Sequence, residues 1–384
     1  MLSLGLLMSC AHNEHYDPMK PHHTKTGFKN VYQQTDKGLL DVLKWRWSRS
    51  SDQVPGVEDY DFPLRKTNPD LLKSNIEKAS LTWIGHATFL LQFKGLNILT
   101  DPQFSERASP VSWAGPRRVV PPALTIDQLP EIDAVVISHD HYDSLDVASV
   151  RSLSLHNQQR RLTFIVPLGM KAWFDDLNLE SIEVVELDWG QSHRVQGVNF
   201  IAEPSQHWCK RSLFDTNERL WASFVIESKG DHIFFAGDTG YAPHFREIGE
   251  KYGQFNLALL PIGAYEPRWF MKENHVNPEE AVKIHQDLHA RYSVAMHWGT
   301  FILTDEPLDE PPLKLAIALK EKQLPTSSFE VYQHGETRFI DHLFLNQAAA
   351  LFLKLNEPMS LQPGNAVEFR AITDKGLQVF RPVT

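Results

Sequence analysis

One short segment, residues 134–143, constrains the fold of this chain more than any other. It begins with Ala134-Val-Val-Ile137, an apolar run that predicts a short buried strand. The polar run Ser138-His-Asp-His-Tyr-Asp143 follows at once. His139, His141 and Asp143 occupy alternate positions, so an extended backbone would project them to one side. Two imidazoles and a carboxylate in this arrangement are typical of a zinc site, the alternative being a polar surface turn.

Three more apolar runs end on a histidine or an aspartate, which favours the metal site. They end at His207, at Asp238 and at His297. Strands fix positions while loops supply chemistry, so polar groups at one end of a sheet suit a catalytic site. We therefore predict a site for two ions. The predicted ligands are His139, His141 and His207 for one ion, Asp143 and His297 for the other, and Asp238 as the bridge.

Other residues are candidates for supporting roles. The globular domain is predicted to start near Leu81, with a strand over residues 81–93 and a second over residues 97–101. His86 and Asp101 lie in these segments, and we predict that they hold the metal ligands in place by hydrogen bonds, ordinary buried hydrogen bonding being the equal alternative.

A punctuated loop over residues 109–122 carries an aromatic ring and two guanidinium groups. Trp113, Arg117 and Arg118 are therefore candidates to bind a phosphate, and the alternative is solvated surface charge. His275 precedes a helix predicted from about Pro278. It is a candidate to orient a phosphate or protonate a leaving group, and the alternative is a contact that caps the helix.

Composition limits the partners of the chain. It has 384 residues, with 48 acidic against 38 basic side chains and a formal net charge of −10. We expect no nucleic-acid partner, because that function needs a basic face. With only two cysteines, a disulfide framework is excluded.

The N-terminus suggests export. Residues 2–8 are apolar and are followed by Ser9 and Cys10, which resembles the end of a bacterial lipoprotein signal, although no basic residue precedes the run. We expect a lipid anchor at Cys10 in the bacterial envelope, and the alternative is a cytoplasmic protein. The predicted organisation is a signal at residues 1–10, an extension and linker at residues 11–68, and a catalytic domain with the predicted metal site at residues 69–384.

The extension contains two further features. His12, His15, His22 and His23 could chelate metal, but we interpret this part as a solvated tail. The triplet Trp45-Arg46-Trp47 suits a membrane interface or a helix that closes one edge of the fold.

Several motifs together resemble the metallo-β-lactamase superfamily and, within it, the bacterial relatives of N-acyl-phosphatidylethanolamine-hydrolysing phospholipase D. They cover residues 81–301. The motifs are Gly85-His-Ala-Thr88, Leu99-Thr-Asp-Pro102, Ser138-His-Asp-His-Tyr-Asp143, Gln206-His-Trp208, Phe235-Ala-Gly-Asp-Thr-Gly-Tyr241, His275-Val-Asn-Pro-Glu-Glu280 and His297-Trp-Gly-Thr-Phe301. The resemblance implies a mixed α+β or α/β chain built as a four-layer αβ/βα sandwich, with two stacked mixed sheets and helices outside.

The same resemblance implies a zinc-dependent phosphodiesterase with two Zn²⁺ per chain, or one. This phospholipase D-type enzyme would use a metal-bound hydroxide, with Asp143, Asp238 and His275 as catalytic residues. We expect a phospholipid or other phosphodiester substrate and a membrane surface, and we leave a homodimer open. The alternatives are a hydrolase of a soluble sugar-phosphate lactone or phosphodiester, and a catalytically impaired metal- or lipid-binding protein.

One position departs from the family pattern. The family has a histidine directly after the motif aspartate, as a ligand of the second ion, whereas this chain has Ser144. We therefore expect Asp143, Asp238 and His297 to hold that ion with weaker occupancy, and we place Ser144 beside the site rather than in it.

Overall fold

The computed structural model describes residues 12–34, 39–48, 56–157, 160–344, 369–373 and 376–380. The chain divides into two units, residues 1–344 and residues 345–384. The whole of the predicted signal, with Cys10, lies outside the described residues, so the predicted domain boundaries stay predictions. None of the helices in the described ranges combines the length and the apolar character that crossing a bilayer requires.

The described residues form the following helices. They are α1 (Leu39–Ser48), α2 (Pro69–Ser74), α3 (Val147–His156), α4 (Lys171–Asp175), α5 (His244–Tyr252), α6 (Arg268–Met271), α7 (Pro278–Asp287) and α8 (Glu310–Glu321).

The strands of the first unit are β1 (His23–Thr24), β2 (Gly27–Phe28), β3 (Ser80–Gly85), β4 (Thr88–Phe93), β5 (Leu96–Thr100), β6 (Ala134–Val136), β7 (Leu162–Pro167), β8 (Ile182–Leu187), β9 (Ser192–Val195), β10 (Val198–Glu203), β11 (Ser223–Ser228), β12 (Asp231–Phe235), β13 (Leu257–Pro261), β14 (Ser293–Met296), β15 (Phe329–Glu330) and β16 (Thr337–Phe339). The second unit contains an antiparallel hairpin of β17 (Phe369–Thr373) and β18 (Gly376–Phe380).

Two seven-stranded sheets form the framework of the first unit. The first sheet has the order β16-β3-β4-β5-β6-β7-β8, and the second has the order β15-β14-β13-β12-β11-β10-β9. Each is mixed: β3, β4 and β5 are antiparallel while β5 to β8 are parallel, and the second sheet likewise changes direction at β12. The predicted sandwich of two stacked mixed sheets is confirmed.

The apolar runs of the sequence are continuous because both faces of the first sheet are buried. In β4, Phe89, Leu91 and Phe93 pack into the core between the sheets, whereas Leu90 packs into a second core with Leu153 of α3. Side chains of a strand alternate between faces, so a strand covered on both sides needs apolar residues at every position. This arrangement explains why the strand before the metal motif is apolar throughout.

The single strand predicted over residues 81–93 is wrong in one respect. The structure breaks it into β3 and β4 by a tight turn at His86 and Ala87. His86 has a positive φ of 55°, a conformation uncommon for a residue with a side chain. The turn places the His86 ring at the edge of the sheet, where β6 also ends.

The interpretation of His22 and His23 as part of a solvated tail is also wrong. Both side chains are buried against Asp188, with His22 Nε2 2.7 Å from Oδ1 and His23 Nε2 3.1 Å from Oδ2. Lys20 pairs with the same carboxylate, and Trp189 stacks on His22. Four hydrogen-bond donors, including the Trp189 amide, satisfy Asp188, so this cluster fastens residues 12–34 to the domain.

We expect Asp188→Asn to detach this segment. Removing one partner of a buried ion pair should lower the free energy of unfolding by about 3 kcal/mol. Hydrogen exchange should show the loss of protection confined to residues 12–34 and their contacts. Asp231→Asn is the matched control, because Asp231 pairs at 2.7 Å with the partly exposed Lys94 and should cost only about 0.5 kcal/mol.

The effect should depend on pH with a defined sign. Burial would raise the pKa of Asp188, but hydrogen bonds from His22 and Lys20 outweigh it and hold that pKa below its ordinary value. A carboxylate with a depressed folded-state pKa stabilises the fold above its ordinary pKa of about 4 and loses this contribution as the pH falls below it. The difference between wild type and Asp188→Asn should therefore shrink below about pH 4, and an unchanged difference would contradict this account.

Candidate metal centre

The predicted ligands lie at the ends of strands from both sheets. His139, His141 and Asp143 follow β6 of the first sheet. His207, Asp238 and His297 follow β10, β12 and β14 of the second sheet. Because the two sheets stack with these ends at one edge, all six side chains meet there.

The first group is His139, His141 and His207. One ring nitrogen from each lies within 4.8 Å of the other two. His141 Nδ1 and His207 Nε2 are 3.3 Å apart, and His139 packs edge-on against both rings. Two nitrogens bound to one tetrahedral zinc at 2.0–2.1 Å are about 3.3 Å apart. The spacing of this group therefore fits one divalent ion.

Hydrogen bonds fix which nitrogen each ring presents. Ser138 Oγ donates to Asp101 Oδ2 at 2.5 Å and lies 2.8 Å from His139 Nδ1, so it accepts the Nδ1 proton. His207 Nδ1 donates to the Asn274 carbonyl at 2.9 Å. Each bond leaves an unprotonated Nε2, which is the state a metal requires. Asp101 thus acts on His139 through Ser138, which supports the predicted role.

The second group gathers around Asp143. His297 Nε2 lies 3.4 Å from Asp143 Oδ2 and 3.0 Å from Asp238 Oδ2. Asp238 Oδ2 is also 3.6 Å from His139 Nε2, so this carboxylate stands between the two groups, as a bridging ligand must. His86 joins the second group, with Nε2 3.0 Å from Asp143 Oδ2.

A glycine allows Asp238 to reach this position. Gly237 has φ 59°, and a Cβ at that position would lie 2.4 Å from the Ser138 Cβ. No side chain fits there, so the loops after β6 and β12 can touch only through glycine. This close approach sets the separation between His139 and Asp238.

The site concentrates charge in a desolvated place. Burial, together with the neighbouring His141, lowers the pKa of His139 to about 4. Burial would raise the pKa values of Asp143 and Asp238, but the histidines around them outweigh it and hold both carboxyls well below their usual range. Burial would lower the pKa of His297, but both carboxylates raise it to about 10. The two carboxylates therefore require positive charge beside them. Either a proton on His297 supplies this charge, or a divalent cation supplies it and leaves His297 neutral.

Several buried donor atoms also point to a cation. Polar atoms in a protein interior are normally hydrogen-bonded. Three ligand atoms have no hydrogen-bond partner among the residues that the structure describes: His139 Nε2, His297 Nε2 and Asp238 Oδ1. With the imidazole and carboxylate chemistry of the groups, these atoms fit one or two divalent ions.

Two arginines stabilise the loop after β6 that carries His141 and Asp143. Arg211 donates to the carbonyls of Asp140 and Leu145 at 2.6 and 2.7 Å, and its guanidinium lies 4.1 Å from the Tyr142 ring. Arg219 pairs with the buried Asp140 carboxylate at 2.9 Å. Arg211 is therefore not a solvated surface charge, since the loop carbonyls hold its guanidinium.

A cavity of about 510 Å³ opens onto the metal groups. His141, Asp143, Asp238 and His275 are at its floor, and the rest of the wall is largely apolar and aromatic. Those wall residues include Val42, Trp45, Trp208, Phe270, Met271 and Leu303. Trp45 stacks on Phe270, and its indole N–H donates to Asp305 at 2.8 Å, so both contacts hold Trp45 in place. Helix α1 thus closes one edge of the fold, as one of the two interpretations proposed.

The sequence analysis assigned no basic residue to this cavity, although one lines it. This residue is Lys210. Its position three residues after His207 was the available signal.

Trp113, Arg117 and Arg118, the predicted phosphate ligands, do not line the cavity. Trp113 is 80% exposed, Arg117 pairs with Glu106 on the surface, and buried Arg118 donates to Ser105 and Gln103. The guanidiniums are already bound to protein oxygens, which corrects the expectation for this loop.

The remaining predicted residues lie at the site. Ser144 is fully buried, and its amide donates to the His141 carbonyl at 3.0 Å. The His275 ring packs 5.1 Å from His207 and 5.6 Å from His297 at the cavity floor. Asn277, and not His275, caps α7, so the capping alternative for His275 is wrong.

Comparison with known proteins gives consistent matches. Residues 96–298 match the family described as "Beta-lactamase superfamily domain". The chain is 42% identical over 313 residues to the N-acyl-phosphatidylethanolamine-hydrolyzing phospholipase D 1 of Caenorhabditis elegans, covering 78% of this chain and 87% of that protein. It is 40% identical to an uncharacterized protein of Mycobacterium tuberculosis, covering 75% of this chain and 76% of that one.

Solved structures share the fold. An isothiocyanate hydrolase from Delia radicum gut bacteria superposes with a TM-score of 0.54 at 20% identity, covering 68% of this chain and 99% of that one. The metallo hydrolase Igni18 of Ignicoccus hospitalis superposes with a TM-score of 0.51 at 21% identity, covering 68% and 98%.

The Ser138 hydroxyl provides a test of the tautomer argument. Ser138→Ala removes the acceptor of the His139 Nδ1 proton, so we expect zinc affinity to fall by about 10- to 100-fold. Competition against a chelating dye measures the change. Ser154→Ala is the matched control, because its buried hydroxyl donates to the Glu180 carbonyl away from the site. Equal affinities in the two variants would contradict the assignment.

Proposed function

This chain belongs to the metallo-β-lactamase superfamily as a relative of the N-acyl-phosphatidylethanolamine-hydrolysing phospholipases D and is a metal-dependent hydrolase, and from that premise we propose its substrate. It hydrolyses the phosphodiester of N-acyl-phosphatidylethanolamine or a related phospholipid on the headgroup side and leaves a phosphatidic acid. The observation that carries this proposal is an apolar cavity whose floor is the metal centre. Such a cavity suits a substrate with a charged reacting group and an apolar body.

The proposal assigns two zinc ions to the centre. His139, His141 and His207 would hold one ion, Asp143 and His297 the other, and Asp238 both. Ions bound there would lower the pKa of a coordinated water and stabilise negative charge on the phosphoryl oxygens. The protein contributes fixed positions, since each ligand follows the end of a strand.

Two residues of the cavity act on the substrate directly. Lys210 supplies a cation for the phosphate oxygens. Burial lowers the pKa of His275 to about 3, so its imidazole is neutral at pH 7. A neutral imidazole orients the phosphate by a hydrogen bond, and of the two predicted roles of His275 we favour this one.

The proposal includes a membrane surface as partner. Apolar side chains are exposed on two segments that border the cavity: Leu40, Leu43 and Trp47 on α1, and Leu213 and Phe214 in the loop after Lys210. Trp47 and Phe214 are 93% and 89% exposed. Large apolar groups at the rim of a lipid-sized opening suit insertion into a bilayer. Because the net charge is −10, apolar contact rather than attraction to anionic lipid would drive binding. We propose anchoring through Cys10 in the bacterial envelope as a second attachment.

Hydrolysis assays separate the lipid from soluble substrates. We expect purified, zinc-loaded protein to hydrolyse N-acyl-phosphatidylethanolamine much faster than bis(p-nitrophenyl) phosphate, and a chelator to stop both. His139→Ala should lower kcat/KM by about 1,000-fold or more, equal to about 4 kcal/mol. His285→Ala is the control, because this buried histidine of α7 is bonded to Ser293 at the start of β14, whereas the ligand His297 follows the end of that strand. Turnover of neither substrate at full zinc loading would favour a non-catalytic binding protein.

Vesicle binding tests the membrane surface. Leu213→Ser with Phe214→Ser should weaken binding to phosphatidylcholine vesicles by about 100-fold or more, since each buried large apolar side chain contributes about 1.5–3 kcal/mol. The control is Ile76→Ser, a 73% exposed apolar residue beside the β4–β5 turn at the opposite end of the first sheet. Light scattering distinguishes a second copy of the chain as the occupant. A dimer that dissociates in the double variant, with unchanged vesicle binding, would reject the membrane surface.

A further inference from the structure

We propose that His86 is a direct ligand of the second ion and replaces the imidazole that Ser144 does not supply. The inference rests on the two-ion site of the proposed function. It concerns the turn between β3 and β4, which sequence reasoning assigned only to supporting hydrogen bonds. Without His86, the second ion has three protein ligands, Asp143, Asp238 and His297.

The distances place His86 among ligands. His86 Nε2 is 3.0 Å from Asp143 Oδ2, and His297 Nε2 is 3.4 Å from the same oxygen. The ring centroids of His86 and His297 are 4.0 Å apart, and both imidazoles face the Asp143 carboxylate. Separations near 3.3 Å are those of donors sharing one tetrahedral ion. The group formed by His86, Asp143 and His297 is thus as compact as the one formed by His139, His141 and His207.

The backbone holds the His86 ring in this position. Its amide donates to Thr300 Oγ1 at 2.9 Å, and its carbonyl accepts the Trp83 indole at 2.9 Å and the His297 amide at 3.0 Å. Both His86 and His297 have positive φ values, 55° and 59°. Such strained conformations in non-glycine residues persist where the surrounding structure enforces them, commonly at functional sites. One hydrogen bond therefore couples two strained histidines that flank Asp143.

The competing role is a hydrogen bond from His86 to Asp143 that only orients the carboxylate. His86 is almost fully buried, and its Nδ1 has no hydrogen-bond partner in the described part of the chain. Nε2 is thus the atom through which His86 contacts a polar group, and it faces the metal side. Both roles use that atom, so metal binding must distinguish them.

Cobalt titration of metal-stripped protein makes the distinction without any substrate. We expect wild type to bind two Co²⁺ per chain and His86→Ala to weaken the second by about 100-fold while keeping the first. Introducing Ser144→His into His86→Ala should restore the second ion by returning an imidazole to the group. His285→Ala, the matched control, should bind two ions with wild-type affinities.

X-ray absorption spectroscopy of the wild-type protein with two zinc ions tests the inference without any variant that could misfold. We expect five imidazole ligands shared by the two ions, and four would reject the inference. Two ions bound equally well by His86→Ala would also reject it while leaving the proposed function intact. A wild type that binds only one ion would instead reject the two-ion site itself.

Discussion

Burial of two carboxylates at the meeting point of two sheets is the constraint on which the rest of this site depends. Asp143 and Asp238 lie where water is excluded, and an uncompensated charge there would cost several kcal/mol. His86, His139 and His297, from three different segments, have ring nitrogens 3.0–3.6 Å from oxygens of these carboxylates. A cation is therefore part of the energetics of this edge of the fold as well as of its chemistry.

Hydrogen bonds and an ion pair from neighbouring residues hold the ligands in position around these carboxylates. Asp101 and Ser138 set the tautomer of His139, the Asn274 carbonyl sets that of His207, and Arg219 neutralises Asp140 beneath the loop. None of these groups needs to touch an ion. Their effect is to hold unprotonated nitrogens at fixed separations, which lowers the reorganisation that metal binding requires.

The cavity joins this polar floor to the apolar wall that a lipid would need. Val42 and Trp45 come from the N-terminal extension, and Lys210 comes from the loop after His207. The extension thus lines the cavity beside the metal groups, although its composition alone predicts a linker. Asp188 shows the same principle at the other end of the extension, where a buried carboxylate fastens the histidines of an apparently polar tail.

The sequence by itself indicated the strands and the candidate ligands, because strand periodicity and the spacing of His139, His141 and Asp143 are local properties. The sandwich followed from the resemblance of its motifs to a known family. The sequence did not determine the turn at His86, the burial of His22 and His23, or the hydrogen bonds of Arg118 to protein oxygens. Each of these depends on segments distant in the chain: His86 on Thr300 and His297, His22 on Asp188, Arg118 on Gln103. Which polar side chains face the cavity was decided only by tertiary structure, since packing and competing partners select among residues of equal chemistry.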